Sequence, residues 1–489
     1  MNTKQLRQKI LDLAIRGKLV PQNPEDEPVR VFLERILAEK RSDKEKKEKH
    51  LLPIVERELP FNVPEGWTWC RLGHISSNIQ YGLSNSAELS GNYRLLRITD
   101  IQDNKVEWDN VPFTTITDEQ AKDFMLEIGD IVFARTGATV GKSFLISTLP
   151  FRSVFASYLI KVKTTQVSPQ YIKHFFDSHI YWEQITDKSV GIGQPNVNGT
   201  KLKELVVPLP PLAEQQRIVA AIESAFTVID EIERDKADLQ SAVVMAKQKI
   251  LSLAIRGKLV PQDSGDEPAE FLLEQSRQYK ERLIEEGKVP KPKKNESPLL
   301  SVSENEVPFL LPKNWKWCRL GDVCAMVRGN GLTKRDFTDS GVGCIHYGQI
   351  YTHYGNYTYD TISYVREEVA AKLKKVTTGE IIITITSENV EDICKCVAYL
   401  GTNEIVTGAH AAIIKHCINS MFLVYCTQSN LFYTQKEEFA RGFKVTEIST
   451  SKLKNFLFPL PPLAEQKRIV AAIEAAFEQL DCIAKNISN

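Results

Sequence analysis

A long stretch in the middle of the chain has the hydrophobic pattern of a single helix. No proline or glycine interrupts it from Leu212 to Arg256. Pro210 and Pro211 precede it and Gly257 follows it, as is typical of helix ends. Apolar residues inside it recur at alternating spacings of four and three, the heptad pattern of a coiled-coil seam, and only Lys236 breaks the series. The seam positions are Ile218, Ile222, Ala225, Ile229, Ile232, Leu239, Val243, Ala246, Ile250 and Leu253. At about 1.5 Å per residue, the predicted helix is about 67 Å long.

This helical pattern belongs to a set of blocks that occur twice. "PLPPLAEQQRIVAAIESAF" at Pro208 returns as "PLPPLAEQKRIVAAIEAAF" at Pro459, and "QKILDLAIRGKLVPQ" at Gln8 returns as "QKILSLAIRGKLVPQ" at Gln248. A third pair is "PEGWTWCRLG" and "PKNWKWCRLG". Because repeated blocks in a constant order mark a duplicated unit, we predict a tandem duplication of about 245 residues.

The two ends of the chain match the two halves of the central helix. Residues 461–489 repeat its first half, with Ile469 and Ile473 on the seam. The N-terminal residues repeat its second half, with Leu6 and Ile10 on the seam. We predict that the termini are two halves of a second long helix, antiparallel to the first, which gives a circular organisation with pseudo-twofold symmetry. The alternative is a duplication whose ends were trimmed by chance.

Between the helices lie two segments with the pattern of short strands. Runs rich in β-branched residues and bounded by glycine or polar residues, such as "DIVFAR" at Asp130 and "EIIITIT" at Glu380, are typical of strands. Helical stretches such as "SPQYIKHFFDSH" at Ser168 lie between them. We therefore predict an α+β fold in which two mixed α/β domains are separated by two long antiparallel, coiled-coil-like helices.

The chain divides into five predicted segments. They are an N-terminal helical segment and linker (1–50), the first domain (51–210), the central long helix and linker (211–298), the second domain (299–460) and the C-terminal helix (461–489). The two domains share strand patterns, while their loops differ in chemistry. For example, "GIGQPNVNGTKLK" at Gly191 aligns with "GFKVTEISTSKLK" at Gly442. One scaffold is thus predicted to present two different surfaces.

Composition describes an ordinary globular protein. The 489 residues allow two to four domains, and a content of 42% hydrophobic and 25% charged residues is typical of the soluble class. No apolar run has the length of a membrane span, and the N-terminus has no apolar signal core. Nine cysteines without a CxxC pair suit free thiols. We predict a cytoplasmic protein without a membrane partner.

Two enzyme classes are excluded by missing motifs. "TGATVGKS" at Thr136 is similar to a phosphate-binding loop, but only three residues separate Gly137 from Gly141, where the motif needs four before Gly-Lys-Ser. The second copy, "TSENVEDI", lacks the feature. An adenine methyltransferase needs an N/D/S-P-P-Y/F tetrapeptide, and the Pro-Pro pairs lie in Leu-Pro-Pro-Leu instead. The chain is therefore predicted to be non-catalytic.

A metal site is not expected either. The second domain alone carries the candidate ligands Cys394, Cys396, His410, His416 and Cys417. They lack the spaced CxxC pairs of a structural zinc site. We interpret them as free thiols and ordinary polar histidines.

The duplicated helix blocks, the W-x-W motif at the start of each domain and the split helix resemble the specificity subunit of Type I restriction–modification systems. The resemblance covers nearly the whole chain. It implies two target recognition domains, each of which reads one half of a bipartite, asymmetric target in double-stranded DNA. It also implies docking of two methyltransferase subunits, which hold S-adenosylmethionine and methylate adenine. Up to two restriction subunits, which use ATP and Mg²⁺, can join and cleave unmodified DNA, whereas this chain binds no cofactor itself.

Residues for DNA contact are expected in the polar loops of both domains. Arg, Lys, Asn and Gln read base edges, while cations and small polar groups contact phosphates. In the first domain the candidates are Gln80, Tyr81, Asn85, Arg97, Arg135, Lys142, Gln194, Asn196 and Asn198. In the second they are Arg328, Asn330, Lys334, Arg335, His346, Tyr347, Gln349, Arg441 and Lys444.

The net charge of the chain limits where DNA-contacting residues can lie. The chain has 62 acidic and 62 basic side chains, so its basic residues must be segregated onto one face if DNA is the partner. The other hypothesis is a coiled-coil scaffold that displays two protein-binding domains. That hypothesis does not explain why Arg, Asn and Gln vary in the loops while the frame is kept.

Overall fold

Two compact units, Met1–Asp235 and Lys236–Asn489, make up the chain. The computed structural model describes residues 2–42, 51–189, 195–291, 299, 301–440 and 446–488. Both units combine helices with small, mainly antiparallel sheets, so the mixed α/β architecture is confirmed.

In the first unit, helices at the beginning and the end of its sequence flank several small sheets. Its helices are α1 (Thr3–Ile15), α2 (Val29–Ser42), α3 (Asp118–Ala121), α4 (Pro169–Asp177), α5 (His179–Ser189), α6 (Gly199–Lys203) and the first part of α7 (Leu212–Ile255). Its strands are β1 (Thr68–Arg71), β2 (Ser76–Tyr81), β3 (Tyr93–Leu96), β4 (Ile101–Gln102), β5 (Lys105–Val106), β6 (Phe113–Thr114), β7 (Ile131–Ala134), β8 (Ser143–Leu145), β9 (Ser153–Phe155), β10 (Leu159–Thr164) and β11 (Val206–Leu209). The main sheet has the order β2-β10-β7-β8, and a second has the order β6-β3-β9.

The second unit repeats this plan. Its helices after α7 are α8 (Ala269–Glu285), α9 (Leu320–Val323), α10 (Tyr347–Thr352), α11 (Glu367–Ala370), α12 (Ser420–Thr427), α13 (Asn430–Phe439), α14 (Thr450–Lys454) and α15 (Leu463–Ser488). Its strands are β12 (Lys316–Arg319), β13 (Cys324–Arg328), β14 (Phe337–Thr338), β15 (Val342–Ile345), β16 (Tyr357–Thr358), β17 (Ser363–Val365), β18 (Lys375–Val376), β19 (Ile381–Thr384), β20 (Thr386–Ser387), β21 (Cys396–Tyr399), β22 (Ile405–Thr407), β23 (Ala411–His416), β24 (Thr446–Glu447) and β25 (Leu457–Leu460). The order β13-β23-β19-β21-β16 corresponds to the main sheet of the first unit, and β14-β17-β15-β22-β18 forms the other large sheet.

Each predicted domain is closed by pairing between its first and last strands. Thr68 of β1 pairs with Leu209 of β11, and Lys316 of β12 pairs with Leu460 of β25, both in antiparallel register. This pairing brings the two ends of a domain to the helices that flank it. The domain limits of 51–210 and 299–460 remain predictions, since each compact unit also includes parts of the helices.

The long central helix forms as its pattern predicts, but its seam is unevenly buried. Near its start Ile218 and Ile222 have no exposed surface. Farther along, Ile232 and Leu239 are 36% and 45% exposed. A coiled-coil pairing over the middle of the helix therefore remains a prediction.

Within each unit a terminal helix runs antiparallel to its part of α7. In the first unit Arg7 of α1 contacts Asp230 and Glu233, whereas Gln22, farther along the chain, contacts Glu214 at the start of α7. The second unit repeats the arrangement. Lys247 of α7 pairs with Asp481 of α15, and Gln262 reaches Glu465 near the start of α15.

Part of the sequence interpreted as linker is helical. Helix α8 lies inside the predicted 211–298 segment, and it buries Ala269 and Leu272 in the core of the second unit. Helix α2 does the same in the first unit with Phe32 and Ile36. Neither helix was predicted from the sequence, because the strong repeat blocks end before them. The sheets and the other helices supply the rest of each core, and Ile131, Phe133, Ile381 and Ile383 of the main sheets are fully buried.

Candidate nucleic-acid interface

Each unit positions its polar loops with the same close backbone approach. Gly82 follows β2 and Gly329 follows β13. A Cβ atom at Gly82 would lie 2.3 Å from the carbonyl oxygen of Ala156, and one at Gly329 would lie 2.2 Å from that of Gly408. No side chain fits in so short a distance. The ends of these strands are therefore held in equivalent positions in both units.

In the first unit this strand end presents an aromatic ring under a guanidinium group. The guanidinium carbon of Arg135 lies 5.0 Å from the centre of the Tyr81 ring, within the range of a cation–π interaction. Arg135 Nε donates to the carbonyl oxygen of Ser157 at 3.0 Å. The backbone N–H of Gly199 donates to Tyr81 Oη at 2.8 Å. These contacts hold both side chains while leaving Tyr81 40% exposed.

Two asparagines of the "QPNVN" run lie beside this pair. Asn196 forms an antiparallel bridge with Thr136, and the N–H of Val197 donates to the Arg135 carbonyl oxygen at 3.0 Å. Asn196 is exposed. The side-chain oxygen of Asn198 accepts from the N–H of Lys201 at 2.9 Å and caps α6. We call Tyr81, Arg135, Tyr158, Asn196 and Asn198 the first rim. Tyr158 is 62% exposed, and its carbonyl oxygen accepts from the N–H of Arg135.

Two other candidates of the first domain are engaged by neighbouring side chains. Arg97 forms an ion pair with Asp100 at 2.7 Å, and its Nε and backbone N–H donate to the same carboxylate. This pairing raises the pKa of Arg97. Gln80 Oε1 accepts from Asn78 Nδ2 at 2.8 Å. Arg97 is therefore oriented by its own turn, separately from the Tyr81–Arg135 stack.

The remaining candidates of the first domain are dispersed. Asn85 is exposed and its Nδ2 donates to Thr114 Oγ1 at 3.4 Å. Lys142 is exposed in the turn that joins β7 to β8. Gln194 lies outside the described residues.

The segment that is similar to a phosphate-binding loop forms a hairpin. A short 3₁₀ turn at Gly137–Thr139 leads into β8, which pairs antiparallel with β7. A phosphate-binding loop needs a helix N-terminus after the strand. The geometry at Lys142 therefore does not provide such a cradle.

The second unit places an ion pair where the first has its aromatic stack. Arg328, at the end of β13, donates through Nε to the Ala409 carbonyl oxygen at 2.9 Å. Its Nη1 lies 3.3 Å from Glu447 Oε1, and the two side chains are 51% and 49% exposed. Glu447 belongs to β24, which pairs with Thr386 of β20.

Polar side chains surround this pair. Asn330 forms a parallel bridge with Gly408, and within the described residues its buried Oδ1 has no hydrogen-bond partner. His410 Nδ1 lies 2.8 Å from Thr386 Oγ1. We call Arg328, Asn330, His410 and Glu447 the second rim.

Three candidates of the second domain gather at the start of α10. His346 caps this helix, with Nδ1 accepting from the N–H of Gly348 at 3.3 Å. Its ring lies 4.4 Å from that of Tyr347, which in turn lies 4.9 Å from that of His410. Burial lowers the pKa of His346, and the nearby His410 lowers it further. Gln349 Oε1 accepts from the N–H of His346 at 2.8 Å and so stabilises the turn.

Of the other candidates in the second domain, Arg335 is exposed in a 3₁₀ turn. The backbone of Lys334 lies in the same turn, but its side chain is outside the described part of the structure. Arg441 and Lys444 also lie outside the described residues.

Four positions at the two rims are equivalent. The N–H of Arg135 donates to the carbonyl oxygen of Tyr158, as the N–H of Ile385 does to that of His410. Asn196 pairs with Thr136 as Glu447 pairs with Thr386. The equivalent positions are thus Tyr81 and Arg328, Arg135 and Ile385, Tyr158 and His410, and Asn196 and Glu447. The backbone is the same and the side chains differ at all four.

Tyr158, His410 and Glu447 are not among the DNA-contacting residues predicted from the sequence. Cations and amides are the main side chains expected at an interface with a polyanion, and an acid such as Glu447 is not. Aligning the two copies at Gly191 and Gly442 places Asn196 over Glu447, and that signal was sufficient to find it.

The described residues show no metal site, disulfide or membrane-spanning helix. In the described residues no three His, Cys, Asp or Glu side chains gather in a way that could hold a metal ion. The nine cysteines all lie among the described residues and form no disulfide bond, and seven of them are buried. Among the described helices none is both long and apolar enough to cross a membrane.

Comparison with known proteins gives the family. The family model for the Type I restriction modification DNA specificity domain matches the chain twice, at residues 64–240 and 312–489. The chain belongs to this family. It is a non-catalytic specificity subunit with two target recognition domains.

Curated relatives carry the same description. The EcoAI specificity subunit of Escherichia coli is 27% identical over 96% of this chain and 88% of the relative. The EcoEI specificity subunit of Escherichia coli is 31% identical over 66% of this chain and 62% of that protein.

Solved structures share the fold. A chain from a study of complex assembly and conformational transition in the Type I restriction–modification system has a TM-score of 0.59 at 20% identity, over 88% of this chain and 94% of that one. The HsdS subunit from Thermoanaerobacter tengcongensis has a TM-score of 0.51 at 19% identity, over 87% and 93% of the two chains.

Proposed function

We propose that each recognition domain of this specificity subunit reads one half of a bipartite, asymmetric DNA target. The observation that carries the proposal is the pair of rims, in which the same backbone frame presents Tyr81, Arg135 and Asn196 in one unit and Arg328 and Glu447 in the other. Different side chains at fixed positions are what two different half-sites require.

The chemistry of the rims suits base and phosphate contact. Arg135 and Asn196 can bond base edges, since arginine pairs with guanine and asparagine with adenine. Lys142 and Arg335 are exposed cations that can contact phosphates. The Arg135 side chain is already held by Ser157 and Tyr81, so less conformational entropy is lost when it binds.

The shared helices are proposed to dock two methyltransferase subunits. In the first unit Val228 of α7 is 52% exposed, and in the second Val244 and Met245 are 62% and 68% exposed. Exposed apolar side chains on a helix suit a protein interface. The methyltransferase subunits would hold S-adenosylmethionine and methylate adenine, and restriction subunits with ATP and Mg²⁺ would cleave unmodified DNA. The chain itself is proposed to bind no cofactor.

A genome-wide map of N6-methyladenine tests the proposal. The partner methyltransferase is expressed with and without this chain, and a bipartite motif is expected only when the chain is present. Exchange of residues 51–210 for those of a relative is expected to change one half of the motif and leave the other unchanged. An identical map with and without the chain, while the chain is bound to its partner, would instead support a scaffold with two protein-binding domains.

A further inference from the structure

One pair of equivalent rim positions, Asn196 and Glu447, differs in charge. Asn196 and Glu447 each pair through the backbone with a threonine that follows the same central strand. Each lies two residues before a side chain that caps a short helix, Asn198 in the first unit and Ser449 in the second. A neutral amide in one unit is thus replaced by a carboxylate in the other.

The carboxylate is held in a defined place by an anchored cation. Arg328 is fixed through Nε to the Ala409 carbonyl oxygen at 2.9 Å, and its Nη1 then meets Glu447 at 3.3 Å. Both side chains remain about half exposed. A donor and an acceptor therefore lie side by side on the surface.

A carboxylate at a DNA interface restricts the bases that can lie against it. The phosphates repel it, so its presence is favourable only if it accepts a hydrogen bond from a base amino group. In the major groove cytosine presents such a donor at N4, whereas guanine N7 and O6 and thymine O4 are acceptors that repel it. Adenine has an amino group beside the N7 acceptor, which suits an amide better than a carboxylate.

We propose that the Arg328–Glu447 pair determines specificity in the second recognition domain by reading a C·G base pair. Glu447 accepts from cytosine N4, and Arg328 donates to guanine O6 and N7. The edge of one C·G pair offers this acceptor, acceptor and donor pattern. At the equivalent position of the first domain, Asn196 reads adenine through N6 and N7. This inference rests on the proposed function and deepens it.

The test uses the complex of the full chain with its methyltransferase and a library of duplexes randomised over both half-sites. The wild-type complex is expected to require C·G at one position of one half-site. Glu447→Gln is expected to lower discrimination at that position by about 10- to 100-fold, since an amide can both donate and accept. The other half-site is expected to stay the same.

Matched variants separate recognition from folding. Glu404→Gln removes an exposed carboxylate at the far end of β22 from Gly408 and is expected to leave selection unchanged. Glu447→Asp keeps the charge and is expected to retain the preference for C·G. This variant serves as the control if Glu447→Gln also lowers the melting temperature. Asn196→Ala is expected to relax selection in the opposite half-site only.

The outcomes distinguish this inference from the proposed function. If the wild-type complex selects no bipartite motif, the proposed function fails. If it selects one and Glu447→Gln leaves every position unchanged, or weakens binding equally for all sequences, the proposed function stands and the reading by Glu447 is overturned. A relaxed position that is not C·G in the wild-type motif would overturn it as well.

Discussion

At the scale of single residues, a buried glutamate joins each recognition domain to its helix. Glu214, at the start of α7, is 1% exposed. Its carboxylate accepts from Trp67 Nε1 at 2.9 Å and from Gln22 Nε2 at 2.7 Å. Burial raises the pKa of Glu214. In the second unit Glu465 makes the same contacts with Trp315 and Gln262, so the W-x-W repeat has a structural role.

Glu214→Ala is expected to destabilise the first unit by about 1–3 kcal/mol, because the buried indole N–H of Trp67 loses its acceptor and Gln22 loses one of its two acceptors. The measurement is urea unfolding with hydrogen exchange read separately for each unit. Glu465→Ala is expected to cause the same loss in the second unit. The control is Glu223→Ala, at an exposed position of α7, with an expected change within about 0.5 kcal/mol. Equal effects of Glu214→Ala and Glu223→Ala would show that the buried contacts contribute nothing.

At the scale of elements, the strand ends depend on glycine where the chain passes another backbone. A Cβ atom at Gly329 would lie 2.2 Å from the carbonyl oxygen of Gly408. A Cβ atom at Gly331, two residues later, would have no other atom within 4 Å. The same segment thus contains one glycine that the fold requires and one that it does not.

Gly329→Ala is expected to lower the stability of the second unit by about 1–3 kcal/mol, because β13 must move away from Gly408. It is also expected to weaken selection of the half-site read by the second rim. Gly331→Ala is the matched control and is expected to leave the melting temperature within a few degrees of wild type. Melting curves of both variants, with selection from a duplex library, check this. Equal melting temperatures for the two variants would show that the close approach of Gly329 to Gly408 does not require glycine.

At the scale of the whole molecule, charge balance limits what the chain does alone. Sixty-two acidic and 62 basic side chains give a formal net charge of zero. Phosphate neutralisation supplies most non-specific affinity for DNA and grows with the number of cations engaged. We therefore expect the isolated chain to depend on a few rim contacts when it binds DNA.

The isolated chain is expected to bind its target at least about tenfold more weakly than the complex with its methyltransferase does, at the same salt concentration. The dependence of binding on salt is expected to be shallower for the isolated chain, because it releases fewer counterions. Titrations of labelled duplex at several salt concentrations measure both quantities. Equal affinity and slope for chain and complex would contradict the expectation that the partner subunits close around the duplex.

The duplication, the long helix, the central strands of the two main sheets and the family could all be predicted from the sequence. These features depend on local periodicity and on repeated blocks, which can be recognised without knowing any tertiary contact. The tertiary structure alone decided which polar residues meet, because the rim residues come from distant parts of the chain. Tyr81 meets Arg135, and Arg328 meets Glu447, only through the pairing of strands. Glu447 illustrates this, because its negative charge disfavours a place beside phosphates and only the structure shows that Arg328 pairs with it.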